Sequence, residues 1–145
     1  MAGERIWVVD AEHWPRAYLV AELTERGYDV TGFETVRDAV IRALVAPGER
    51  PALIVIDLHD QTSDHKALAT LARQEIPTVA IAPATAVAAA PATADGGAVG
   101  SRPWAAILRR PLTIGTIVEA IARLLSGPAR SRESATSSAP SKPGR

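Results

Sequence analysis

The sequence predicts an α/β fold built on a doubly wound parallel sheet of five strands. Runs of branched apolar residues alternate with segments of helical periodicity, mostly through short connections. This alternation favours parallel strands with helices packed on both faces of the sheet. The most informative run is Leu-Ile-Val-Ile at residues 53–56, which Pro51 opens and Asp57 closes. Four branched apolar residues in succession are typical of a strand that is buried on both faces.

The other strands are predicted from shorter apolar runs that are bounded by turn residues. Gly32 weakens the second of these runs, and Pro77 opens the fourth. The five predicted strands cover residues 5–9, 28–33, 51–57, 77–82 and 104–108.

Four helices are predicted from apolar stripes and from residues that favour helix ends. Pro15 suits the first turn of the first helix, and Gly27 suits the position just past its end. The predicted helices cover residues 14–26, about 36–44, 64–74 and 113–126. Their inward-facing residues are predicted to be Leu19, Val20 and Leu23; Val36, Ala39, Val40, Ala43 and Leu44; Leu68, Leu71 and Ala72; and Ile114, Ile117, Val118, Ile121, Leu124 and Leu125.

Two segments depart from the alternation. Residues 83–103 mix proline and glycine with alanine, so we expect a long loop with a helical turn or two at residues 84–90. Residues 127–145 are rich in Ser, Pro, Ala and Arg, and a segment of this composition is expected to be disordered. We therefore predict one domain over residues 1–126, followed by a basic tail over residues 127–145.

Composition excludes several classes of function. The net charge is zero, but the tail carries four basic residues and one acidic residue, which leaves the predicted domain mildly acidic. This argues against nucleic-acid binding by the folded part. No run is apolar enough to span a membrane, and the N-terminus does not resemble a signal peptide. Since the chain also lacks cysteine, we expect a cytoplasmic location.

Charged side chains follow several of the predicted strands. The charged residues at or just past strand ends are Asp10, Asp57 and Arg110, and the apolar Ala82 ends the fourth strand. The carboxyl ends of parallel strands meet at one edge of the sheet, so two carboxylates and a guanidinium are predicted to share one pocket. The alternative for Asp57 is a purely structural role, as a cap of its strand or of the following helix.

The sequence does not predict an enzyme. The segment after the first strand has no glycine, which argues against a dinucleotide or phosphate-binding loop. No serine lies in a nucleophile elbow. The three histidines, His13, His59 and His65, are scattered over predicted loops and are expected to face solvent rather than a metal.

Taken together, these residues resemble the receiver domain of two-component response regulators over about residues 5–126. Val8-Val9-Asp10 with Glu12 is similar to the acidic end of the family's first strand. Residues 53–58 resemble the phosphoacceptor strand, and Arg110-Pro111 stands where the family has Lys-Pro. Further matches are Arg16, Gly27-Tyr28 and Asp64. The resemblance implies a flavodoxin-like, receiver-like sheet, here with a degenerate fourth helix.

The resemblance also implies roles for the residues of the pocket. Asp57 is the candidate phosphoacceptor, and Arg110 is the candidate contact to the phosphoryl group. Asp10 and Asp57 are candidate magnesium ligands, with Glu12 a weaker candidate. The implied partner is a histidine kinase, a phosphotransfer protein or another regulator, and a homodimer is a further option.

The chain departs from the family pattern at positions that matter for phosphorylation. Ala11 replaces the second acid of the family's acidic pair, and Ala82 replaces a Ser or Thr at the end of strand four. Arg110 replaces lysine, and a planar guanidinium is not equivalent to a compact ammonium group. His59-Asp60-Gln61 replaces Met-Pro, and Ile107 lies near the position of the family's switch aromatic. These changes argue against strong magnesium binding and against a conventional switch.

Three hypotheses follow. The first is a stand-alone, atypical receiver that acts in signal transduction by protein contact, without phosphorylation. The second is a receiver that accepts a phosphoryl group on Asp57 in a magnesium-dependent phosphorelay. The third is a small-molecule-binding module on the same fold, with residues 83–103 as a lid.

Overall fold

Five parallel strands form one sheet in the order β2-β1-β3-β4-β5. The computed structural model describes residues 3–59, 61, 64–84 and 104–127. The strands are β1 (Arg5–Val9), β2 (Asp29–Phe33), β3 (Leu53–Asp57), β4 (Thr78–Ala82) and β5 (Ala106–Arg109). The helices of the described residues are α1 (His13–Glu25), α2 (Val36–Val45), α3 (His65–Ala72) and α4 (Ile114–Leu125), with a short 3₁₀ turn at Pro47–Glu49.

The strand at residues 53–57 occupies the middle of the sheet, as its composition predicts. Every residue of β3 is buried, and so is every residue of its neighbour β4. One core lies between the sheet and helices α2 and α3, and includes Trp7 packed edge-on against Phe33. A second core lies on the opposite face, under α1 and α4. The predicted doubly wound architecture is therefore confirmed.

Three of the helices begin at side-chain caps that fix their first turns. Thr35 caps α2, Asp64 caps α3 and Thr113 caps α4, each accepting a hydrogen bond from a backbone N–H three residues later. Such a cap stabilises a helix start by about 1 kcal/mol. The first helix ends before Gly27, whose φ of 97° lies in the left-handed region that glycine tolerates best.

The structure corrects some boundaries and faces. The fifth strand begins at Ala106, because Trp104 turns toward the core under α2 and α3 and Ala105 bonds the backbone of Thr78 instead. Leu44, predicted to face inward, is 57% exposed. Only one side of α2 is buried against the sheet, so the buried stripe is narrow, and Leu44 lies beside it. The same reason leaves Ala72, Ile114 and Leu124 exposed near helix ends.

Two sequence predictions lie outside the described residues. These are the loop or degenerate helix at residues 83–103, of which only residues 83–84 are described, and the basic tail at residues 127–145, of which only Gly127 is described, so the domain boundary stays a prediction. Among the described residues, no helix has the length and apolar character needed to cross a membrane.

Candidate functional site

The predicted pocket residues meet at the carboxyl edge of the sheet. Asp57 is the last residue of β3, and Asp10 directly follows β1. Asp57 is only 4% exposed and Asp10 only 7%. Arg110 directly follows β5, and its backbone N–H bonds the carbonyl of Ala82 at 3.0 Å. Adjacent parallel strands thus bring two buried carboxylates and one guanidinium together.

Both oxygens of the Asp57 carboxylate have partners. Oδ1 accepts a hydrogen bond from the backbone N–H of His59 at 2.9 Å, and Oδ2 accepts one from Nη2 of Arg110. The Arg110 side chain is 42% exposed, so the ion pair runs from the buried floor of the pocket to solvent. The bond to His59 is the local turn contact typical of Asp, and the ion pair is an additional tertiary contact.

The second carboxylate of the pocket is held differently. Oδ1 of Asp10 accepts the backbone N–H of Glu12 at 2.9 Å, and its backbone carbonyl accepts Nη1 of Arg16 at 2.6 Å. Burial is the main cause that raises the pKa of Asp10 above its ordinary value. The bond from Glu12 opposes this shift, while the negative charge of Asp57 adds to it. Burial therefore disfavours the ionised form of Asp10 relative to that of an exposed Asp.

Gln61 is a site residue that the sequence did not reveal. Its side chain is buried, and Nε2 donates to the carbonyl of Glu34 at 2.9 Å. Its Oε1 accepts the N–H of Val36 at 3.1 Å. The residue therefore joins the loop after Asp57 to the end of β2 and to the first residue of α2. A glutamine in a polar loop carries no sequence signal for such a role, because its partners lie 25 and 27 positions away.

A salt bridge makes a second connection between the same segments. Arg37 in the first turn of α2 lies 3.2 Å from Asp64, which caps α3. Asp64 matches an acid of the receiver pattern, and here it serves as a helix cap and an ion-pair partner.

The positions that depart from the receiver pattern add little polarity to the pocket. Ala82 is 2% exposed and brings only a methyl group to the end of β4. Ala11 brings another methyl group beside Asp10. The side chain of Glu12 is exposed at the start of α1 and makes no cap to that helix.

The pocket has few candidate ligands for a divalent cation. Magnesium in proteins prefers hard oxygen ligands in near-octahedral geometry, commonly one or two carboxylates completed by water. The pocket offers two carboxylates, one of which already contacts a guanidinium. Within the described residues, no three His, Cys, Asp or Glu side chains form a group that could hold a metal ion. The His13 ring packs edge-on against Trp14, with ring centroids 4.9 Å apart.

Comparisons with known proteins agree with this architecture. No protein-family model matches the chain, and no curated protein matches it. Among solved structures, the chain is similar to FixJ-N, with 26% identity over 84% of this chain and 93% of that one, and a TM-score of 0.62.

Two bacterial receiver structures give similar values. A response regulator receiver protein from Pseudomonas putida is 20% identical over 84% of this chain and 98% of that one, with a TM-score of 0.64. A response regulator from Desulfuromonas acetoxidans is 22% identical over 85% and 97%, with a TM-score of 0.63. The chain has the fold of response-regulator receiver domains.

Proposed function

We propose that this receiver-type domain acts in signal transduction by contact with other proteins, and that phosphorylation of Asp57 is not its switch. The observation that supports this most strongly is the ion pair between Asp57 and Arg110 at the floor of the pocket. It occupies one oxygen of the acceptor carboxylate, in a pocket where Ala11 and Ala82 replace polar residues of the receiver pattern.

The charge balance of the pocket disfavours phosphoryl transfer to Asp57. A carboxylate that attacks a phosphoryl group approaches another anion, so its site must neutralise the developing charge. Arg110 supplies one positive charge, but its guanidinium already bonds Oδ2 of the carboxylate that would attack.

A phosphoryl group on Asp57 would also lack a hydroxyl partner at the end of β4. Ala82 offers no hydroxyl to bond a phosphoryl oxygen, and its methyl group is buried. The domain is therefore proposed to bind its partner in the unmodified state. The partner is a protein, such as a histidine kinase, a phosphotransfer protein or another regulator, or a second copy of the chain. No catalytic turnover is proposed.

The test is a magnesium titration of the full chain with acetyl phosphate, followed by intact mass measurement. Wild type, Asp57→Asn and the exposed-site control Asp29→Asn are compared. We expect no phosphoryl adduct on any of the three at saturating magnesium.

A single adduct that requires magnesium, survives in Asp29→Asn and is lost in Asp57→Asn would overturn this proposal. It would establish the phosphoaccepting receiver instead, with magnesium as its cofactor. The small-molecule hypothesis depends on residues 85–103, which lie outside the described residues; a compound that raises the melting temperature would support it.

A further inference from the structure

The free edge of β2 and the adjoining side of α2 form a groove beside the pocket. We propose that this groove, named here the β2–α2 groove and lined by Thr31, Phe33, Ile41, Arg42 and Val45, binds an extended segment of a partner protein that carries basic side chains. This inference rests on the proposed function, because it identifies where contact with the partner takes place.

The backbone of β2 is available for pairing with another strand. Within the described residues, β2 pairs only with β1. Asp29 donates its N–H to Glu4, and Phe33 accepts from Asp10, so alternate residues of β2 face β1. The N–H and C=O groups of Val30 and Gly32 therefore point away from the sheet. Proteins commonly protect such an edge with lysine or proline, and β2 contains neither.

The side of α2 next to this edge exposes two apolar side chains beside Asp38 and Arg42. Ile41 is 50% exposed and Val45 is 71% exposed, and both line the groove with Thr31 and Phe33. A second depression continues along the strand and shares Thr31 and Arg42 with the first. A strand added to β2 would place every second side chain against this apolar wall.

The charge of the groove specifies the partner's chemistry. The groove and the second depression together are lined by four carboxylates and two guanidinium groups, so this surface is negatively charged. Arg5 pairs with Asp29 and Arg42 with Glu49, at 3.5 and 3.3 Å. Glu34 and Asp38, both exposed, account for the remaining negative charge. A segment that alternates apolar and basic residues complements both the wall and this charge.

The groove is connected to the pocket through Gln61. The glutamine bonds the carbonyl of Glu34, at the end of β2, and the N–H of Val36, at the start of α2. Both walls of the groove are thus held by a residue of the loop that follows Asp57.

The test uses the full chain and a synthetic peptide in which valine and arginine alternate. A peptide with the same composition in two blocks, all valine and then all arginine, is the control. Binding is measured by calorimetry, and backbone amide hydrogen exchange by NMR. We expect the alternating peptide to bind more tightly and to slow exchange at Val30 and Gly32, whose N–H groups it would engage.

Three sets of variants locate the site. Gly32→Pro removes an outward N–H and is expected to weaken binding about tenfold. A Cβ at this position would meet the Arg16 side chain at 3.3 Å, so Gly32→Ala, which adds the Cβ and keeps the N–H, is its control. The double variant Glu34→Gln/Asp38→Asn is expected to weaken binding about three- to tenfold at low salt, and Glu25→Gln/Glu119→Gln serves as its charge-matched control.

The third set, Ile41→Ser against Leu124→Ser, tests the apolar wall without altering the strand. Circular dichroism confirms folding of each variant. Equal binding by the block peptide, slowed exchange confined to other segments, or unchanged affinity in both Gly32→Pro and Ile41→Ser would overturn the inference. No phosphodonor is present, so these outcomes are independent of the adduct measurement that tests the proposed function.

Discussion

The two sides of Asp57 are built in different ways. Toward β2 and α2, the loop that follows Asp57 is joined to its neighbours by the two hydrogen bonds of Gln61 and by the Arg37–Asp64 salt bridge. Toward β4 and β5, Asp57 contacts the partly exposed guanidinium of Arg110, and the buried position at the end of β4 is the methyl group of Ala82. The β5 strand itself is half-exposed, and Ile107 is 45% exposed.

This difference determines how strongly a change at Asp57 affects the structure of α2 and of β5. A buried side chain that bonds two backbone groups cannot move without leaving them unsatisfied, so it couples the segments that it joins. On the β4–β5 side, the methyl group of Ala82 transmits only through contact and shape, and the Arg110 side chain is 42% exposed, so solvent weakens the influence of its ion pair. We therefore expect changes at Asp57 to reach α2 more strongly than they reach β5.

The largest effect is expected when the pocket regains the residue types of the receiver pattern. The triple variant Ala11→Asp/Ala82→Thr/Arg110→Lys supplies a third carboxylate, a hydroxyl and a compact ammonium group. We expect it to gain a magnesium-dependent phosphoryl adduct from acetyl phosphate, and we expect wild type to gain none. Intact mass measures the adduct, and adding Asp57→Asn to the triple variant is the control. A rebuilt protein that folds and still takes no adduct would mean that other features block the site.

The next largest effect is expected from loss of the Gln61 hydrogen bonds, on the side of β2 and α2. Gln61→Ala leaves the Val36 N–H and the Glu34 C=O without their partner, and should lower the free energy of unfolding by about 2–3 kcal/mol. Urea denaturation measures the loss. The control is Gln74→Ala, whose amide donates to the Thr70 carbonyl and accepts from the exposed Arg50 just past the end of α3. Because these contacts are accessible to solvent, its loss should cost less than about 1 kcal/mol. Equal losses in the two variants would contradict a special role for Gln61.

Removal of the ion pair should have a smaller effect. Arg110→Met leaves Asp57 buried without its cation, and we expect a loss of about 1–2 kcal/mol, since the partly exposed guanidinium is screened by solvent. In Asp57→Asn/Arg110→Met the loss should be smaller than the sum of the single losses. Arg123→Met, on the exposed side of α4, is the control. Strict additivity in the cycle would show that the pair contributes nothing to stability.

The smallest effect concerns Asp10 and depends on pH. Burial raises the pKa of Asp10, so folding favours its neutral form. This stabilising contribution is complete below the unfolded pKa and is lost as pH rises through the folded pKa. Asp10→Asn, which keeps an oxygen for the Glu12 N–H, should raise the melting temperature at pH 7 and not at about pH 3. The exposed Asp29→Asn controls for the loss of charge. A gain of equal size at both pH values would contradict the assignment.

The sequence predicted the central strand of the sheet well, because a run of this composition is compatible with few kinds of secondary structure. Four branched apolar residues ending in Asp57 fit one kind of strand, and the strand ends then place Asp10 and Arg110 beside it. Gln61 could not be predicted, since its role depends on where segments distant in sequence meet. Leu44 was assigned inward because an apolar stripe can be wider than the surface that the helix actually buries.

The most direct test of the asymmetry is a comparison of amide NMR spectra of wild type and Asp57→Asn. Residues in contact with position 57, His59 and Arg110, are left out because they respond in any case. We predict larger shift changes at Val36 and Arg37, on the Gln61 side, than at Ile107 and Leu108 in β5. Larger changes in β5 than in α2 would contradict the account, and would show that the pocket communicates through the β4–β5 side despite Ala82.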